Sequence, residues 1–123
     1  MMPRVVHFEI DATKPERAIE FYEKIFGWKF EKWNGPMEYW LITTGKEGEP
    51  GIDGGLGRRT EPQPSTVNTI DVPSVDDYSK KVESNGGTII RPKMAIPGVG
   101  WAAYFKDPDG NVWGIMQGDP SAR

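Results

Sequence analysis

The feature that most constrains this chain is that it repeats itself. Ile10-Asp11 and Ile70-Asp71 lie 60 residues apart, Gly27 and Gly87 lie 60 apart, Trp40 and Trp101 lie 61 apart, and Gly51 and Gly110 lie 59 apart. Chance self-similarity in a strand-rich chain does not hold one offset across four landmarks, so the chain is read as two copies of one supersecondary unit.

Each copy has the same order of patterns. Val5-Val6-His7-Phe8-Glu9-Ile10 is rich in β-formers, and alternation puts Val5, His7 and Glu9 on one face. From Pro15 to Phe26 the period becomes helical, with Ala18, Ile19, Tyr22, Ile25 and Phe26 as the apolar stripe. Thr13 is the expected N-cap, Pro15 suits a first turn and Gly27 suits the position after the last. Trp28–Trp33 alternates aromatic and charged residues, Asn34-Gly35 marks a hairpin, Glu38–Thr44 is extended again, and Gly51–Arg58 supplies a glycine-rich fourth strand. In the second copy Thr66–Val72 reads as a strand and Val75–Ser84 as an amphipathic helix stopped by Asn85-Gly86-Gly87. Strands follow at Thr88–Arg91, Trp101–Phe105 and Asn111–Gln117, the last after the turn Asp107-Pro108-Asp109-Gly110. The 15 glycines and 11 prolines fall between these runs, as turns do.

The expected fold is therefore α+β, a single domain spanning 1–123. It contains two tandem βαβββ modules, about 4–60 and 65–118, joined near Glu61–Pro64. Neither module is large enough to bury its own sheet. Together their strands are expected to form one curved mixed sheet with a central cup, the helices outside, and a cup suits a small-molecule ligand.

Charge and composition remove several classes of function. Fifteen Lys and Arg against 18 Asp and Glu give a net charge of -3, which argues against a nucleic-acid partner. The absence of cysteine excludes disulfides, cysteine-ligated zinc and a catalytic thiol. No apolar stretch approaches the roughly 20 residues of a membrane span, and Met1–Arg4 leads directly into a strand pattern rather than a signal peptide. A soluble, cytoplasmic protein is expected.

His7, the helix residues Ala18-Ile19-Glu20-Phe21-Tyr22 with Phe26-Gly27-Trp28, then Asn85-Gly86-Gly87 and Asp107-Pro108-Asp109-Gly110-Asn111 together carry a resemblance. The chain resembles the vicinal oxygen chelate superfamily, which includes glyoxalase I, extradiol dioxygenases and the bleomycin and fosfomycin resistance proteins. The resemblance implies a cup whose metal-dependent versions bind one divalent cation through up to two side chains from each module. In those versions the metal acts as a Lewis acid on a substrate that chelates it through neighbouring oxygens. Carried onto this chain, the family positions fall on His7, Gly55, Val67 and Gly114, so that His7 is the only retained family ligand. A single imidazole does not make a divalent site, and glycine and valine supply no donor. No cofactor is therefore expected. A metal held by His7 with Glu9 or Asp53 as substitute carboxylates is the alternative.

The candidate catalytic residues are His7, the only histidine, and its neighbour Glu9. His7, Glu9, Trp40, Val67, Thr69, Trp101 and Gly114 are the expected lining of the cup, with Trp40 and Trp101 as equivalent walls. Pro97-Gly98-Val99-Gly100 reads as a loop able to close over a ligand, or as a plain strand connection. Gly54-Gly55-Leu56-Gly57-Arg58-Arg59 lacks the Lys-Ser/Thr and the helix that a phosphate loop requires. The leading expectation is a small-molecule-binding protein of this superfamily, with or without turnover and without a metal. A metal-dependent lyase or dioxygenase of the glyoxalase type and a drug-sequestering resistance protein are the alternatives. Members of the family commonly dimerise, and five tryptophans leave rings for an interface, so a homodimer is expected.

Overall fold

The computed structural model describes residues 2–58 and 66–123. The proposed junction Glu61–Pro64 and Arg59 lie outside the described residues. The chain is α+β and resolves into two compact units: His7–Val67, and Asn68–Arg123 together with the start of the chain through Val6.

The first βαβββ module comprises β1 (Arg4–Ala12), α1 (Pro15–Phe26), β2 (Lys29–Lys32), β3 (Tyr39–Thr43) and β4 (Gly54–Arg58). Its strands lie in the order β2-β3-β4-β1, with β4 parallel to β1 and antiparallel to β3. The α1 bounds match the helical pattern. Its N-cap, however, is Lys14 without a side-chain bond, not Thr13, because Pro15 occupies the first helical position and sets the start one residue later. Gly27 ends the helix with φ 71°, in the left-handed region that a residue with a Cβ resists. The core on the α1 side of the strands is Ile10, Ile42 and Leu56, with Phe8, Ala18, Ile19, Tyr22, Trp28, Phe30 and Trp40 packed against it. The helical stripe is narrower than its period implies. Ile25 and Phe26 are each 58% exposed, and Phe26 instead stacks on Trp28 with ring centroids 5.2 Å apart.

Strand β4 forms despite its glycines because the neighbouring chains need the space. Gly54, Gly55 and Leu56 are buried, and a Cβ at Gly54 would lie 2.7 Å from the Phe8 ring. Tertiary packing here overrides a poor strand propensity.

The second module repeats the order with β5 (Thr66–Asp71), α2 (Val75–Ser84), β6 (Thr88–Ile96), β7 (Gly100–Lys106) and β8 (Val112–Gly118), arranged β5-β8-β7-β6. Ser74 caps α2 by accepting from the Asp77 amide at 3.1 Å, and the Val75 amide donates to Gln117 Oε1 at 3.0 Å. Val72, Val75, Ala103 and Ile115 form the core on the α2 side, with Ile70, Tyr78, Trp101 and Phe105 against it. Strand β6 does not stop at Arg91 but continues through Pro92 to Ile96. It ends the strand order, and register shifts flank Arg91, so a residue without an N–H costs no ladder bond there.

The segment Pro97–Gly100 is a plain hairpin connection between β6 and β7. The Val99 amide donates to Ile96 O, the Gly98 amide to Ala122 O, and the Asp119 amide to Val99 O. Two of these bonds tie it to the C-terminal residues. The Asp107–Asn111 turn forms as read, with Gly110 at φ 89° and the Asp107 carboxylate accepting from the amides of Asp109 and Asn111.

Candidate functional site

Alternation along β1 decides which side chains are available. Phe8, Ile10 and Ala12 face α1, so His7, Glu9 and Asp11 point to the opposite face. Register then places Glu9 beside Gly55, and Gly55 beside Leu41 on β3. Gly55 leaves a gap on this face, and Tyr39 fills it. A Cβ at position 55 would overlap the Tyr39 hydroxyl and Cζ and would sit 2.6 Å from Cε2. The phenol thus occupies the place where a side chain of residue 55 would start.

The Tyr39 hydroxyl is also hydrogen-bonded to His7 Nε2 at 3.0 Å. In one tautomer the phenol donates to Nε2. In the other, Nε2–H donates to the phenol oxygen and leaves the phenol proton for a ligand. Trp33 holds the tyrosine ring edge-on, with centroids 6.2 Å apart.

The electrostatics keep both members neutral near pH 7. Burial lowers the His7 pKa below its ordinary value, opposed in part by the charge of Asp53. Burial, reinforced by the charges of Glu9 and Asp11, raises that of Tyr39. A neutral imidazole bonded to a protonated phenol can accept a proton at one atom and offer one at another.

Asp53 does not complete a metal site. Its carboxylate is committed to Thr44, accepting from the amide at 2.8 Å and from the hydroxyl at 3.2 Å. Among the described residues no three His, Asp or Glu side chains converge as a metal set would. Of the four family positions only His7 carries a donor, and the phenol takes the space above Gly55. The residues present do not fit a resident divalent metal.

Two expected lining residues belong elsewhere. Trp40 lies opposite Leu56 and packs in the α1-side core, with Lys32 Nζ 5.5 Å from its ring. Trp101 lies opposite Gln117 and packs in the α2-side core, its Nε1–H donating to Asp119 Oδ2 at 2.9 Å and Lys93 Nζ 4.6 Å from its ring. Strand parity puts both on the helix faces, opposite to His7 in one module and to Gly114 in the other. Their shared offset also does not make them equivalent: Trp40 opposes Leu56, whose counterpart 59 residues on is Ile115, and Ile115 opposes Ala103. Val67 and Thr69 are buried, and Thr69 lies beside Gly114 in register. Tyr39 is the residue of this face that the sequence alone does not single out. Its only signal is indirect, since a glycine where the family resemblance implies a donor side chain requires something else to fill the space.

The glyoxalase/bleomycin resistance protein/dioxygenase superfamily pattern matches residues 4–115. The chain belongs to that superfamily. A "Glyoxylase-like domain-containing protein" of Didymella fabae is 32% identical over 113 residues, covering 87% of this chain and 88% of that protein. A hypothetical protein of Bacillus halodurans C-125 superposes with TM-score 0.67 at 15% identity, over 100% of this chain and 99% of its own. Methylmalonyl-CoA epimerase from Mycobacterium tuberculosis gives 0.66 at 15% identity, over 94% of this chain and 88% of its own. A superfamily member from Vibrio splendidus 12B01 gives 0.64 at 16% identity, over 96% of this chain and all of its own. These structural likenesses bear on the fold alone. Among the described residues no helix is long and apolar enough to cross a membrane.

Proposed function

We propose that the chain binds a small organic molecule bearing a carbonyl or hydroxyl oxygen through the strand face of His7 and Tyr39, and does so without a resident metal. The observation that carries this reading is the 3.0 Å hydrogen bond between His7 Nε2 and a phenol seated over Gly55. In this reading Tyr39 donates to the ligand oxygen, and neutral His7 accepts a proton from the ligand or orients it. Burial keeps the phenol protonated, and the charge of Glu9, beside Gly55 in register, adds to that effect. The protein works in the cytoplasm as a homodimer. Phe21 and Ile25, four residues apart on α1 and each more than half exposed, support the second part of that statement.

The test is a chelator-treated NMR titration against a panel of small ketones, hydroxy acids and phenols. A ligand that shifts the His7 ring signals and binds at least tenfold more weakly to His7→Ala and Tyr39→Phe is the expected result. Ligands that bind both variants as they bind the parent, or only after a divalent metal is added, would overturn the reading.

A further inference from the structure

The second module carries two groups on one strand row that the fold leaves without polar partners. Thr69 is 5% exposed, yet its hydroxyl has no hydrogen-bond partner among the described residues. At the other end of the row, the Arg91 guanidinium makes no ion pair or hydrogen bond among the described residues. Its Cζ lies 5.6 Å from the centroid of the Tyr104 ring. Register connects the two, since Arg91 is paired with Tyr104, Tyr104 with Gly114 and Gly114 with Thr69. At about 4.8 Å between strands, the end backbones are roughly 14 Å apart, and the arginine reaches inward over the ring.

Gly114 shapes the space between them. A Cβ there would lie 3.1 Å from Thr69 Oγ1 and 3.3 Å from Tyr104 Cε1. The hydroxyl therefore faces a narrow notch over Gly114 that the edge of the tyrosine ring closes off from solvent. Leaving a buried hydroxyl unbonded is destabilising, and valine would fill the same volume without that cost.

We propose that this face of the second module binds a small aryl carboxylate with a polar atom at its far end. The guanidinium takes the carboxylate through two parallel N–H bonds, a geometry that a planar fork favours. The ligand's flat body lies along the Tyr104 ring. Its distal oxygen enters the notch over Gly114 as the ring edge turns aside, and there it bonds to the Thr69 hydroxyl. The site shares no residue with the His7–Tyr39 pair.

The experiment is calorimetric titration with 4-hydroxybenzoate, benzoate and 4-hydroxybenzamide as probes. The parent is expected to bind 4-hydroxybenzoate at least tenfold more tightly than the amide, and Arg91→Gln should bring the two within twofold. Thr69→Val conserves shape, so it should unfold at the same or a higher urea concentration. It should also lose the preference for 4-hydroxybenzoate over benzoate, a loss of about fivefold or more. Absence of saturable 4-hydroxybenzoate binding by the parent would overturn the proposal. So would a Thr69→Val or Arg91→Gln protein that keeps the parent's preferences.

Discussion

One added methyl group tests the architecture of the His7 face. In Gly55→Ala the new Cβ falls on the Tyr39 hydroxyl and Cζ, so the ring has to leave its place. It cannot do so freely, because Trp33 packs edge-on at 6.2 Å and His7 holds the hydroxyl at 3.0 Å. Overpacking a filled site costs about 1–3 kcal/mol. Losing the hydrogen bond adds about 0.5–1.5 kcal/mol. A destabilisation of about 3 kcal/mol is expected from the two together. Urea unfolding of the parent, Gly55→Ala, Tyr39→Ala and the double variant isolates the cause. Without the ring, the same methyl should cost under about 1 kcal/mol, leaving a coupling near 2 kcal/mol, well above the ~0.5 kcal/mol within which independent sites add. If Gly55→Ala were neutral in the parent, or equally costly with and without the tyrosine, the ring would not occupy the place assigned to it.

Other perturbations have equally definite outcomes. Because the folded pKa of His7 lies below its ordinary 6.5, the fold binds fewer protons there than the unfolded chain does. Its contribution to stability is therefore complete above pH 6.5 and is lost as pH falls through the folded value. Unfolding measured from pH 7.5 down to about 5 should show that slope, and His7→Gln should flatten it. Gly27→Ala places a Cβ at φ 71°, where about 1–2 kcal/mol is expected to be lost, read as a lower thermal midpoint. Trp101→Phe removes one of the donors that, after the Ser121 hydroxyl, hold the Asp119 carboxyl below its ordinary pKa. The Asp119 NMR titration should then move upward. Sedimentation at micromolar concentration should report about twice the 13.8 kDa of one chain, and a single-chain mass would remove the homodimer.

Local signals in the sequence were strong where local physics decides. Pro15 and Gly27 bracket α1, and a serine cap with Asn85 brackets α2, so both helices fall where the period puts them. Strand β6 was harder to read because Pro92 looks like a terminator until the strand is known to end the sheet order with shifted register. The site was half legible. His7 and its face follow from alternation along one strand, and the missing donors at Gly55, Val67 and Gly114 are what the family resemblance implies. Tyr39 required the pairing of β3 with β4, which no single segment encodes. A shared offset of 61 does not put Trp40 and Trp101 on the cup face, because strand parity sends both rings to the helix side.

A phenol–imidazole pair stands where the family resemblance implies a metal donor set. Equilibrium dialysis of folded, chelator-treated protein against nickel, zinc, iron(II) and manganese tests it most directly, with His7→Ala alongside. No stoichiometric uptake is expected for any of the four metals at micromolar concentration. Uptake of one equivalent by the parent, abolished in His7→Ala, would contradict the claim.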